Sequence, residues 1–440
     1  MKLSKTFALK FETYARSYSR HTDYVARSKT LLQMQKNEPI TVVIPTRERC
    51  ETLLHSLRSA TSQNYERLTI LVADNCSRDG TSDVVAAARD PRIRYIKTER
   101  RLSMSANWEN AVSNVTEGWI TVLGDDDALL PGAIERVASL AAESGASAIR
   151  STTCEYRWPS FTGNAHGAID VPLSHLVELR DSAKQLSRVL RGKASYRTLP
   201  IVYTGGFIHT SVLSRHRKLT GSVFLSMAPD VYSGVAVAQL IDRFLFCGIP
   251  LVVNGASKHS TGSSTFRKEG STTSDQPSAL FFQEPNIPPH EAVAVSANDR
   301  FPPSLQLILL EAYMQSLKIG KNLEACAAAS LQLRLIRREA YMRSTDIRAW
   351  EERFRAQHNL PAQARVPETL SLRIEAAVQN GMSHLERLAV WRASGSPKMP
   401  LANVADAAAF AADLLASPPS RASAALACVA RSILQRGTRR

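Results

Sequence analysis

The chain has no stretch of roughly 18 consecutive apolar residues, so no segment reads as a membrane-spanning helix. Its first residues, M-K-L-S-K-T-F-A-L-K-F-E-T-Y, lack an apolar core and a small-residue cleavage site, and secretion is not expected. Cysteine is sparse. Cys50, Cys76, Cys154, Cys247, Cys326 and Cys428 lie far apart with no C-x-x-C spacing, which argues against a zinc knuckle and a dense disulfide framework and fits a reducing cytoplasm. Neither G-x-x-x-x-G-K-[S/T] nor G-x-G-x-x-G occurs, which weighs against P-loop and dinucleotide chemistry. Asn75-Cys76-Ser77 and Asn114-Val115-Thr116 match the N-glycosylation acceptor pattern, but nothing else points to a secretory route.

Acidic residues are in deficit as well. Against 40 Asp plus Glu stand 55 Lys plus Arg, and the formal charge of +15 favours anionic partners: phosphate esters, nucleic acid or an anionic membrane surface. The cations are spread through helical patterns in every region, not gathered in a patch with interleaved aromatics, so no nucleic-acid partner is expected. In this basic chain, L-G-D-D-D-A-L-L-P-G (Leu123 to Gly132) sets three adjacent carboxylates after an apolar run.

What the chain does have is a 44% hydrophobic content and 440 residues, enough for one large domain with an appendage or for two domains. From Ile40 onward, short apolar runs alternate with helical patterns. Ile40 to Ile44 reads as a buried strand ended by Pro45, and Leu53, Leu54, Leu57 and Ala60 follow at helical spacing. Leu68 to Ala73, Ile93 to Ile96 and Trp119 to Leu123 read as further strands, with helices at Thr81 to Ala88 and Ser105 to Val115. This alternation implies an α/β fold with a mainly parallel sheet and helices on both faces. Ligands of such sheets bind beyond the carboxyl ends of the strands. Pro45-Thr46-Arg47, Asp74-Asn75-Cys76-Ser77 and Asp125-Asp126-Asp127 all fall at such ends, so one sheet edge is expected to gather them.

Three neighbouring carboxylates repel one another, and burying them without a cation is costly. Mg²⁺ or Mn²⁺ resolves this by taking one or two carboxylates together with substrate phosphates. The alternative is a solvated turn capping a helix that begins near Pro131.

In order and spacing, T-V-V-I-P-T-R-E-R, L-V-A-D-N-C-S-R-D-G-T and W-I-T-V-L-G-D-D-D-A-L-L-P-G resemble the nucleotide-sugar domain of family 2 glycosyltransferases of the GT-A fold, clearly over Ile40 to Val137 and more weakly to Phe266. The resemblance implies a Rossmann-like sheet and metal-dependent, inverting transfer of a hexosyl or related sugar from a nucleotide-diphosphate sugar to a hydroxyl acceptor. The acceptor would be a saccharide or a lipid-linked one, in surface polysaccharide or glycoconjugate biosynthesis. Pro45, Thr46 and Arg47 would line the nucleotide pocket. Asp74 would accept hydrogen bonds from base or ribose, unless it closes its own local turn. Asn107 would touch the nucleotide, or be exposed helix polarity. Gly124 stands where the frequent D-x-D-D form has its first Asp. Anchoring on Pro131 makes Asp126 the direct metal ligand, with Asp125 and Asp127 as ribose or surrounding groups, and the assignment within the triplet stays open. Asp127 and His259 complete the metal-ligand candidates, with Lys258 and Arg267 as phosphate partners. In A-P-D-V-Y, Asp230 would be the general base, Pro229 replacing the acid that often precedes it, or else the N-cap of a helix from Val231 to Ile241.

The domain reading is a basic N-terminal extension over 1–39, a GT-A domain over 40–266 (nucleotide half 40–137, acceptor half 138–266), a linker or irregular loop over 267–299, and a separate C-terminal helical region over 300–440 with Leu307, Leu310, Met314, Leu317, Leu331 and Leu335 at core spacing. The segment Lys2 to Lys36, with Phe7, Leu9, Phe11 and Tyr14, either packs as a helix on the domain or rests peripherally on an anionic inner leaflet. The rival functions are a nucleotidyltransferase, which would usually carry a glycine-rich phosphate loop near the first strand, and a non-catalytic basic binding or scaffold protein retaining the fold.

Overall fold

The β-branched runs and amphipathic segments resolve into alternating strands and helices in a computed structural model. It describes residues 37–161, 167–260, 277–293, 302, 304–319, 335–336, 345–357, 390–394 and 401–418. Arg267, Leu331 and the segment Lys2 to Lys36 lie outside the described residues. The elements are β1 (Ile40–Thr46), α1 (Cys50–Thr61), β2 (Leu68–Asp74), α2 (Thr81–Ala87), β3 (Ile93–Lys97), α3 (Met104–Ser113), β4 (Trp119–Val122), β5 (Ala128–Leu129), α4 (Ala133–Ser144), β6 (Ala148–Arg157), β7 (Ala168–Pro172), β8 (Val177–Asp181), α5 (Ser182–Leu190), β9 (Gly206–His209), α6 (Thr210–Thr220), α7 (Pro229–Leu240) and β10 (Arg243–Ala256). Then come α8 (Pro277–Gln283), α9 (Leu305–Gln315), α10 (Thr345–Gln357), β11 (Val390–Ser394) and α11 (Val404–Ala416).

One mixed sheet runs β11-β7-β6-β9-β4-β1-β2-β3, with β10 pairing β5, β6 and β8. The β4-β1-β2-β3 half is parallel, and β1 and β2 stay in register from Ile40↔Leu68 to Thr46↔Asp74. β9 is antiparallel to both β4 and β6, and β10 is parallel to β6. Alternate residues of β1 enter opposite cores: Ile40, Val42 and Ile44 join Leu53, Leu57, Ile134 and Val137, while Val43 joins Trp108, Ala111 and Val235. Helices therefore cover both faces, as the strand-helix alternation implies. No helix among the described residues is long and apolar enough to cross a membrane.

One expectation is corrected. Pro45 does not end β1, which continues to Thr46 with Pro45 opposite Ala73. Thr46 O accepts from Asn75 N on the β2 side, so by alternation Pro45 faces β4, which has already ended at Val122. A proline there removes no ladder hydrogen bond. The described parts of 300–440 reach the sheet layers in places, while Leu307, Leu310, Ile336, Ile347, Trp350 and Phe354 form a cluster of their own with Val293. β11 adds antiparallel to β7, Leu401 with Val404, Ala407 and Ala411 of α11 packs beside Tyr156, Trp158, Ile169 and Val171, and Ala312 and Tyr313 of α9 join the core around α7. Their apolar faces are buried against the sheet layers, where a sequence pattern shows only that they are amphipathic.

Candidate functional site

The carboxyl ends of β1, β2 and β4 bring the predicted clusters to one sheet edge. Thr46 Oγ1 donates to Asp125 Oδ2 at 2.8 Å, and Arg49 Nη1 donates to Asp125 Oδ1 at 2.9 Å. The triplet is no solvated turn: Asp125, Asp126 and Asp127 are 3%, 5% and 0% exposed. Nor does it cap α4, whose N-cap is Gly132 without a side-chain bond.

Each carboxylate has its own partners. Asp127 Oδ2 accepts from Gly124 N at 3.0 Å and from Thr204 Oγ1 at 2.5 Å, and Oδ1 accepts from Gly255 N at 2.7 Å. A Cβ at Gly255 would lie 1.8 Å from Asp126 O, so only glycine allows β10 this close to the turn. A Cβ at Gly124 would lie 2.6 Å from Asp127 Oδ2, so the departure from D-x-D-D accompanies an inward-turned Asp127. Asp126 Oδ2 accepts from Ser257 Oγ at 2.7 Å and Ser260 Oγ at 2.6 Å, while Oδ1 has no hydrogen bond among the described residues. Burial raises the Asp125 carboxyl above its ordinary range, against the pull of Arg49. Burial, then the charge of Asp126, pushes Asp127 up to about 7.

Arg49, which the sequence reading passed over, is the central cation. It also donates to His259 O, and the charges of Asp125 and Asp126 overcome burial to hold its guanidinium protonated. Burial, with Arg49 and Lys258 nearby, lowers His259 and favours its neutral ring. No group of three or more His, Cys, Asp or Glu side chains able to hold a metal occurs among the described residues.

Asp74, at the end of β2, is buried. Its Oδ1 accepts from Ser77 N at 2.8 Å, the local turn, and Oδ2 accepts from Tyr95 Oη at 2.5 Å. Asn107 is 4% exposed, not surface polarity, and its Nδ2 donates to Ala73 O at 3.3 Å. Its buried Oδ1 has no partner among the described residues. Arg47 points instead towards Glu284 and Arg101.

Asp230 is the second residue of α7, whose N-cap is Ala228 without a side-chain bond, so Asp230 is not the cap. Tyr196 Oη donates to Asp230 Oδ2 at 3.4 Å. Burial raises the Asp230 carboxyl, with Arg197 opposing. Tyr203 stands beside the acidic turn. A Cβ at position 124 would lie 3.0 Å from its hydroxyl, and burial followed by the charges of Asp127, Asp126 and Asp230 raises the phenol well above its ordinary value. It therefore stays a donor. Tyr203, Thr204, Ser257 and Ser260 were not singled out from sequence. Two of them lie within S-K-H-S, and Arg49 lies within I-P-T-R-E-R.

Residues 41–197 match the family model described as Glycosyl transferase family 2. The succinoglycan biosynthesis protein ExoO of Rhizobium meliloti is 29% identical over 113 residues, 26% of this chain and 32% of its own length. The GalNAc(5)-diNAcBac-PP-undecaprenol beta-1,3-glucosyltransferase of Campylobacter jejuni is 31% identical over 107 residues, 24% of this chain and 35% of its own. The chain thus spans about a third of the length of these curated relatives. The crystal structure of S. aureus TarS 1-349 in complex with UDP-GlcNAc overlays with a TM-score of 0.48 at 14% identity, covering 86% of this chain and 91% of that one. Over residues 41–197 the chain is similar to glycosyl transferase family 2.

Proposed function

We propose that the protein is a metal-dependent, inverting glycosyltransferase that moves a sugar, hexosyl or related, from a nucleotide-diphosphate sugar to a hydroxyl acceptor in surface polysaccharide or glycoconjugate biosynthesis. The observation that carries this reading is the buried acidic turn at the carboxyl edge of a domain similar to family 2, with Tyr203 beside it and a second carboxylate, the half-buried Asp230, at the start of α7. One relative is named for a saccharide on undecaprenol diphosphate, which supports a lipid-linked saccharide as acceptor class.

The donor set fits a hard divalent cation through Asp126. Its Oδ1 forms no hydrogen bond among the described residues, whereas both oxygens of Asp125 and Asp127 are already engaged. Asp126, with His259 adjoining, would hold Mg²⁺ or Mn²⁺, the remaining positions going to donor phosphates and water. The ion's chemistry is to neutralise charge developing on the leaving diphosphate. Asp127 then acts as framework, holding Gly124, Thr204 and Gly255 together. Asp125 fixes Thr46 and Arg49 beside the donor. Asn107, with its unpaired buried oxygen next to the end of β2, and Asp74 border the nucleoside. Asp230 takes the acceptor hydroxyl's proton, and burial makes it a stronger base than an ordinary carboxylate. The neutral phenol of Tyr203 donates towards the reacting sugar.

Asp126→Ala tests the reading. Transfer should fall by on the order of a hundredfold or more. The melting temperature should change little, since no apolar packing is lost. Full turnover by the folded variant under saturating metal would sink the assignment.

A further inference from the structure

Arg47 does not stand free in the donor pocket. Its Nη1 lies 2.5 Å from Glu284 Oε1, and Arg101 Nη2 lies 3.1 Å from the same oxygen. The Glu284 side chain is 5% exposed, against 27% for Arg47 and 48% for Arg101. It comes from a distant part of the chain, 237 positions beyond Arg47. Phe281 of α8 is buried just before it, and Asn286 Nδ2 donates to Phe281 O at 2.6 Å, which closes the turn that presents Glu284. Burial lowers the Arg47 guanidinium in spite of Glu284, and the charges of Arg101 and Arg49 lower it further. Three arginines therefore crowd the ends of β1 and β3. Arg49 is neutralised by Asp125, and Glu284 is the sole carboxylate within ion-pair distance of Arg47 and Arg101 among the described residues.

A carboxylate held by two arginines at the carboxyl edge of a parallel sheet has the charge and the position of an anionic ligand group. We propose that Glu284 is an internal competitor for the phosphates of the donor. It pairs with Arg47 and Arg101 until a nucleoside diphosphate takes those guanidinium groups, and the Glu284 carboxylate is then displaced. The inference rests on the reading of Arg47 as a donor-pocket residue. Arg101 becomes a second phosphate-binding residue, and Glu284 sets donor affinity by lowering the fraction of protein whose arginines are available.

Calorimetry on the full chain tests this with UDP, GDP, uridine and guanosine, for the wild type and Glu284→Gln. The variant should bind whichever diphosphate is recognised about tenfold more tightly, which corresponds to an available fraction of about one-tenth in the wild type. Affinity for the matching nucleoside should not change, and Glu284→Ala should shift in the same direction. In an Arg47→Gln, Arg101→Gln background the gain should vanish. Equal or weaker diphosphate binding by both Glu284 variants, with melting temperatures preserved, overturns the competitor and leaves the donor reading intact. If neither the wild type nor the variants bind a diphosphate, the donor reading fails and the proposal falls with it.

Discussion

Three adjacent aspartates with one chemistry end in three environments. Asp125 is paired to Arg49, Asp126 keeps one oxygen unengaged, and Asp127 is enclosed by two backbone amides and a threonine. That the triplet would stand at the sheet edge was legible, because it follows directly on a strand end. Which member keeps an oxygen unengaged among the described residues was not, since the deciding groups, Ser257 and Ser260, lie more than a hundred positions away. Asp230 makes the sharpest test at this scale. With Ala228 as the N-cap, Asp230→Asn should leave stability within about 0.5 kcal/mol of wild type, yet lower transfer by on the order of a hundredfold or more while donor affinity persists. In the wild type the raised carboxyl must be ionised to act as base, so activity should fall on acidification at a pH above the ordinary carboxylate range. A pH profile of kcat/KM checks this. An acid limb at or below pH 4, or near-normal turnover by the variant, would remove Asp230 from the base role.

At the scale of elements, the segment leading into α7 is held from a helix far along the chain. Ser226 donates to Glu311 of α9, Ser105 of α3 donates to Ser226 O at 2.7 Å, and Glu311 is 1% exposed. Burial pushes the Glu311 carboxyl up to about 7. An ordinary glutamate titrates at about 4.3 in an unfolded chain, so the fold binds this proton more tightly. Its contribution is present in full below about pH 4.3 and is lost as pH rises through 7, amounting to on the order of 4 kcal/mol. Glu311→Gln has no such titration. Relative to the variant, the wild type should lose that stability between pH 4.5 and 8, which chemical denaturation at the two limits would measure. A constant difference would show that Glu311 is ionised throughout. None of this was visible in the apolar spacing around Leu307 and Leu310, which marked the helix but not the polar residue on its buried side.

For the molecule as a whole, β11 and α11 are part of the sheet and its covering layers. Ending the chain at 389 removes β11 and α11 and uncovers Tyr156, Trp158, Ile169 and Val171. Loss of Leu401, Val404 and the packed alanines should cost on the order of 5 kcal/mol by apolar area alone. The shortened chain should melt far lower or aggregate, and an unchanged melting temperature would mean that the sheet is complete without them. The sequence by itself determined the parallel half, β1 to β4, and the gathering of Thr46, Asp74 and the triplet at one edge. Period-two and helical spacing are local signals, and parallel strands with right-handed crossovers leave little freedom in where their ends fall. Only the tertiary structure decided that β11 and α11 complete the sheet and its cover, that Arg49 neutralises Asp125, that Asp127 bonds Gly124, Thr204 and Gly255, and that Glu284 meets Arg47. Those choices depend on which buried groups satisfy one another once distant segments exclude water, and residue spacing carries no record of that.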